Sequence, residues 1–296
     1  MSSNIMTKKI QDSDFYRTFI DIYGEKPTSL SNAPGRVNLI GEFTDYNDGF
    51  VLPCALQHST QILFKKRDDS IVNVHSIQYP GEKDSFDIAA DIIPGDSQWG
   101  NYIRAVAFVF KSEGHYLSGF DLLINSDVPQ GSGLSSSAAL EVSVGGMLNY
   151  ACQLGLSSAH IAVLGQTAEN DFINCQCGVM DQMISACGVQ GHAMLLDCAS
   201  LDTVSVSIPE DLAIVIVNSN YPRKLVDSEY NQRRIDCEQA ALKMGVSSLR
   251  GADLVKLNSN KDILSVNEYK RAHHVISENQ RVLNAVEALK NNDMDI

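Results

Sequence analysis

Val128-Pro-Gln-Gly-Ser-Gly-Leu-Ser-Ser-Ser-Ala-Ala-Leu-Glu141 is the stretch that decides the fold. Ahead of it, Phe120 to Ile124 reads as a strand. Behind it, Ala138 to Leu154 reads as a helix with Leu140, Val144, Met147, Leu148 and Ala151 on one face. The run from Pro129 to Gly133 breaks the chain between the two. Glycine at 131 and 133 lets the backbone fold tightly and approach a ligand without a Cβ in the way. The first N–H groups of the helix then point at that ligand, and the helix dipole favours negative charge there. Such a loop can cradle a phosphate. A serine-rich helix cap accounts for the same residues, and local features leave both readings open. Two other phosphate loops do not fit: no Lys completes a Walker A motif, and Ser136 stands where a dinucleotide fingerprint needs a third glycine.

Outward from this loop the chain alternates strand and helix patterns. Val51 to Phe64 and Ile71 to Val74 suit strands, Gly95 to Trp99 a turn, and Asn101 to Phe110 a helix. Ala159 to Phe172 and Met180 to Ala186 read as further helices. Ala193 to Asp197 and Thr203 to Ile208 form a candidate hairpin. Leu212 to Val217 is a continuous apolar run, read as a strand buried on both faces. After Asp227 the chain turns helical and charged. The mixed order argues for α+β or α/β architecture, with a boundary near residue 210.

Composition sets outer limits. The chain has 296 residues, 44% of them hydrophobic, enough for a substantial core. Its 23 basic and 36 acidic residues give a formal charge of −13, which repels nucleic acid and anionic membranes. Neither is expected as a partner. The seven cysteines are odd in number and scattered, and read as reduced buried thiols. Cys175 and Cys177 lack a second pair at metal spacing, so zinc is not expected. The N-terminus has no apolar signal core, and no run approaches the length of a membrane span. A cytoplasmic location is expected.

Two polar clusters add chemistry. Arg36, Glu42, Asp45 and Asp48 lie in Ala33-Pro-Gly-Arg-Val-Asn-Leu-Ile-Gly-Glu-Phe-Thr-Asp-Tyr-Asn-Asp-Gly49. Carboxylates on a glycine-broken loop can accept hydrogen bonds from sugar hydroxyls, and the planar guanidinium can hold a phosphate. A solvated acidic turn is the plainer reading. Further on, Asp181 sits between Met180 and Met183 near a helix start, where a carboxylate must be paired or working. A helix cap is its plainer reading. Glu169 falls late on the preceding helix, where the dipole does not help it, so a cation partner suits it.

Together these segments resemble the galactokinases of the GHMP small-molecule kinase superfamily. Pro34 to Asn47 is similar to the galactokinase signature, Gln130 to Glu141 to the superfamily phosphate loop, Cys175 to Ser185 to the segment bearing the catalytic base, and Ser228 to Arg234 to a further family stretch. The resemblance implies an α+β, two-domain GHMP kinase fold. Residues 1–210 would form a ribosomal-protein-S5-domain-2-like domain with the phosphate loop and sugar segment, and 211–296 an incomplete C-terminal α/β domain. It implies transfer of the γ-phosphate of ATP to the C1 hydroxyl of galactose, with ATP and Mg²⁺ bound, in a monomer. Asp181 would take the sugar's proton, and Arg36 would stabilise the transferring phosphoryl group. Gly131, Ser132, Gly133, Leu134, Ser135, Ser136 and Ser137 would wrap the phosphates, and Ser137 and Glu169 would bind the metal. Glu42, Phe43, Thr44, Asp45 and Tyr230 would line the sugar site. A non-catalytic sensor of galactose and ATP, a kinase for a modified galactose, and an inactive fragment are the alternatives.

Two departures from the family pattern stand out. Phe43 replaces the usual His, which implies weaker grip on the sugar's 6-hydroxyl or tolerance of a 6-modified sugar. The chain ends at Ile296 without the family's third, glycine-rich motif; its last glycines are Gly245 and Gly251. A truncated product with an open sheet edge is therefore expected.

Overall fold

The structure is a computed structural model and describes residues 8–219 and 228–293. In chain order its elements are α1 (Lys8–Gln11), α2 (Asp14–Tyr23), β1 (Ser29–Asn38), β2 (Phe50–Val51), β3 (Pro53–Lys66), β4 (Ile71–Ser76), β5 (Lys83–Asp87), α3 (Gly100–Ser112) and β6 (Phe120–Ser126). There follow α4 (Ser136–Ala151), α5 (Ser158–Asp171), α6 (Met180–Cys187), β7 (His192–Asp197), β8 (Thr203–Ser207), α7 (Ser228–Met244), α8 (Leu254–Ser259) and α9 (Val266–Asn291). The chain divides discontinuously. One compact unit takes residues 8–35, Leu56–Asn174 and Ser185–Cys187. The other takes Arg36–Ala55, Cys175–Ile184 and the described residues from Gly188 on. The expected single break near residue 210 is not where these units separate, because the segments around 36–55 and 175–184 leave the first unit and return.

In the first unit β3 pairs antiparallel with β6, from Thr60 opposite Ser126 to Lys66 opposite Phe120. β6 pairs parallel with β4, β4 antiparallel with β5, and β1 with β3. The alternation along these strands turns Ile62, Phe64, Val72, Val74, Phe120, Leu122 and Ile124 into a core shared with α3, α4 and α5. Each such side chain, fully buried, contributes about 1.5–3 kcal/mol. The sequence places one apolar face on α4, but the structure buries most of its circumference, Val142, Ser143, Gly145 and Gly146 included. Small residues permit this. A methyl on Gly145 would stand 2.6 Å from Ile161 Cγ2. The Ser143 hydroxyl donates to Thr60 O at 3.1 Å, and Ser31 Oγ donates to Ser143 O at 2.7 Å, so α4 is tied to two strands.

In the second unit β2 and β8 flank β7, both antiparallel. Helices α7, α8 and α9 accompany them, with Leu52, Val206, Val282 and Val286 in one apolar cluster and Cys237, Leu249, Leu257 and Val275 in another. α9 opens on a full capping box, Ser265 with Glu268. Leu212 to Val217 corrects the sequence reading. It forms no strand and lies open, with Val215 79% and Val217 84% exposed. Apolarity marks a tendency to be covered, and no ladder among the described residues supplies the cover. All seven cysteines are free thiols; Cys54, Cys175 and Cys237 are buried and the other four half-buried. No described helix is long and apolar enough to cross a membrane.

Candidate active site

In the first unit the glycine-serine loop leaves β6 and enters α4. Gly131 adopts φ 67° and Gly133 φ 79°, and a side chain on Gly131 would meet nothing within 4 Å. The tip is therefore open on one side, with Gly131 exposed and Ser132, Gly133, Ser135, Ser136 and Ser137 half-buried. Only Leu134 is buried; its carbonyl lies against Gly35, where an added methyl would come within 2.8 Å. Ser135 precedes α4 in left-handed backbone at φ 60°, and its side chain does not cap the helix. The plain capping reading is thus not what the loop does. Its fit to phosphate rests on this open, glycine-turned backbone feeding a helix of 16 residues. Glu169, on α5 of the same unit, is 5% exposed.

In the second unit Arg36 and Asp181, separated by 145 residues, meet. Arg36 Nε donates to Asp181 Oδ1 at 2.7 Å, and Nη2 lies 2.6 Å from the same oxygen. Arg36 is buried and Asp181 half-buried in the first turn of α6. The helix cap is Val179, so the plainer reading of Asp181 as the cap does not hold.

The loop from Gly41 to Gly49 is the other half of this cluster. Asp45 is half-buried, and loss of water, then the nearby Asp181 charge, push its carboxyl up to about 6. Arg36 and the Tyr46 backbone N–H oppose that shift. Tyr230, on α7, has its phenol raised by burial and by the Asp45 charge, which keeps it a neutral donor. Glu42 is exposed, its Oε1 accepting from Asn38 Nδ2 at 3.2 Å. Thr44 differs from its expected part: fully buried, its hydroxyl lies 2.8 Å from Gly41 O and 2.6 Å from Phe50 O, so it braces the loop from inside. Phe43 holds φ 64°, rare for a bulky residue, with its ring among Tyr230, His274 and the Arg233 guanidinium.

Several positions escaped the sequence reading. Gly178 approaches Asp45 so closely that a methyl group there would collide with the carboxylate. Glu278 on α9 accepts the Gly41 N–H at 2.8 Å, and Asn279 accepts the Phe50 N–H at 2.8 Å. His274 Nε2 lies 2.9 Å from Glu42 O. The available signal was a glutamate in mid-helix with apolar neighbours, Val275, Ile276 and Val282. Among the described residues no group of three or more His, Cys, Asp or Glu could hold a metal. A cation at Ser137 and Glu169 would have two hard protein oxygens, a set that suits Mg²⁺ sharing its remaining positions with phosphate and water.

The comparisons with known proteins follow this geometry. A family model described as GHMP kinases N terminal domain matches residues 101–189, which hold the glycine-serine loop and Asp181. A model described as galactokinase galactose-binding signature matches residues 17–66. The mevalonate kinase of Methanococcus jannaschii is 14% identical, with a TM-score of 0.52 over 87% of this chain and 79% of that chain, and shares the fold. Fold and loop thus define a GHMP-type small-molecule kinase, a class that uses ATP. The galactokinase of Lactococcus lactis, solved complexed with galactose, is far more similar: 34% identity and a TM-score of 0.88, covering 93% of this chain and 74% of that chain. This chain belongs to the galactokinase family.

Proposed function

We propose that the chain transfers the γ-phosphate of ATP to the C1 hydroxyl of galactose, giving galactose 1-phosphate and ADP. The observation that carries this reading is the Arg36–Asp181 pair, a half-buried carboxylate that accepts from a buried guanidinium through one oxygen. Two further facts support it: the galactose-binding signature spans Arg36 to Asp45, and the similar Lactococcus lactis enzyme was solved with galactose.

In this reading Glu42, Asp45 and the neutral Tyr230 phenol hold the sugar hydroxyls, with Phe43 against the ring and Thr44 keeping the loop in shape. Asp181 accepts the proton of the C1 hydroxyl as that oxygen forms its bond to the γ-phosphorus. The bond from the γ-phosphorus to the bridging oxygen breaks, and ADP leaves with that oxygen. Arg36 holds the Asp181 carboxylate in place through its contacts to Oδ1 and neutralises charge on the moving phosphoryl group. Gly131, Ser132, Gly133, Leu134, Ser135, Ser136 and Ser137 hold the phosphates through backbone N–H groups and hydroxyls. Ser137 and Glu169 hold Mg²⁺, which when bound offsets the triphosphate charge. A cytoplasmic monomer fits this small-molecule chemistry.

A coupled ADP-release assay tests the reading. The chain should release ADP on addition of galactose, and Asp181→Asn should lower kcat by about 10²–10⁴-fold while galactose still binds. Full turnover in Asp181→Asn would remove the proton-acceptor role.

A further inference from the structure

A cavity of about 410 Å³ in the second unit is lined by residues including Phe43, Tyr46, Arg233, Lys270, Arg271 and His274, and by neither Arg36 nor Asp181. Its chemistry runs against that of the molecule. The chain carries a formal −13, yet three permanent cations face this one space. Arg271 is already matched by Asp236, and His274 Nε2 is engaged with Glu42 O. Arg233 and Lys270 differ. Every other described arginine sits in an ion pair. Among the described residues Arg233 and Lys270 have no carboxylate partner, and the Arg233 guanidinium rests 5.1 Å from the centre of the Phe43 ring. Tyr46, which lines this cavity, adds a second, independent observation: its hydroxyl is buried without a hydrogen-bond partner among the described residues. A buried donor in that condition calls for an acceptor.

We infer that this cavity binds a small phosphate monoester, with Arg233, Lys270 and the Tyr46 hydroxyl on the phosphoryl group and the carbon skeleton against the Phe43 ring. The charges agree, since a monoester near neutral pH carries close to −2 against two cations that have no carboxylate partner among the described residues. The volume suits a molecule of hexose phosphate size. Because Phe43 belongs to the same loop as Glu42 and Asp45, an occupant would touch the loop that the proposed reading assigns to the sugar. The inference concerns binding alone and stands apart from the kinase reading.

Isothermal titration calorimetry on the full 296-residue chain tests it, with glucose 6-phosphate as probe and inorganic phosphate as second titrant. Glucose 6-phosphate should bind saturably, more tightly than inorganic phosphate, and less tightly as salt is raised. Arg233→Gln and Lys270→Gln should each weaken it about tenfold. Lys270 is exposed, so its substitution leaves the fold intact and decides the matter even if Arg233→Gln unfolds. Equal affinity in wild type and Lys270→Gln places the probe elsewhere and overturns the inference. So does the absence of saturable binding below about 10 mM. Inorganic phosphate binding as tightly as the ester overturns the monoester assignment.

Discussion

Asp45 shows how a carboxylate proposed to hold a sugar can be costly to the fold. Its carboxyl is raised from the ordinary 3.8 to about 6 by lost hydration first and by Asp181 second. A carboxyl raised in the folded state holds its proton more tightly there than in the unfolded chain. Its favourable contribution is therefore complete below the unfolded value and is lost as pH rises through about 6. Above that pH the ionised group costs stability. Asp45→Asn should then raise stability near pH 7.5 by about 1–3 kcal/mol, with the gain shrinking toward zero as pH falls to about 4. The same substitution should weaken galactose binding. Chemical denaturation across that pH range, beside a galactose titration, checks both; a variant less stable than wild type near pH 7.5 contradicts the account. Gly178 makes the complementary point. Gly178→Ala forces a methyl group onto the Asp45 carboxylate, so galactose affinity should fall about tenfold while nucleotide affinity holds. Unchanged galactose affinity would show that the carboxylate position is unimportant. Neither effect was legible in the sequence. The residue types were visible, but a charge shift needs the neighbour at 181, and a close approach needs the backbone path at 178.

Elements were more legible than their partners. The strand, the glycine break and the helix around 131–137 follow from period and composition, because each is a local property. β7 and β8 likewise follow from alternation and form the expected antiparallel pair. α9 lies in the stretch after Asp227 that read as helical and charged, but its task was hidden, since Glu278 and Asn279 reach back to Gly41 and Phe50 across more than two hundred residues. Leu212 to Val217 failed for the same reason in reverse: its apolarity was plain, but burial requires something to cover it. Open apolar chain of this kind is an association hazard. Replacing Val215 and Val217 by Lys should lower the fluorescence of a bound hydrophobic dye and reduce aggregation, with little change in the unfolding midpoint. Unchanged dye binding, or loss of several kcal/mol of stability, would show that the run is covered in solution.

At the scale of the whole molecule, the chain divides into two compact units, and the residues given roles in the proposed reaction are distributed over both. One presents a phosphate-type loop with Ser137 and Glu169. The other presents Arg36 against Asp181, with Asp45 and Tyr230 close by. The division could not be read from composition, because the chain passes between units five times with no linker to mark the crossings. The juxtaposition of residues 36 and 181 was equally hidden from local pattern; resemblance to a family suggested it and the coordinates supply it. The claim on which everything rests is that these groups move a phosphoryl group onto a sugar. Phosphorus NMR of the chain with ATP, Mg²⁺ and galactose observes that directly. The account predicts a new sugar phosphate resonance growing in step with ADP, one for one, and absent without galactose. ADP appearing only with inorganic phosphate, or unchanged ATP from a demonstrably folded chain, would contradict it.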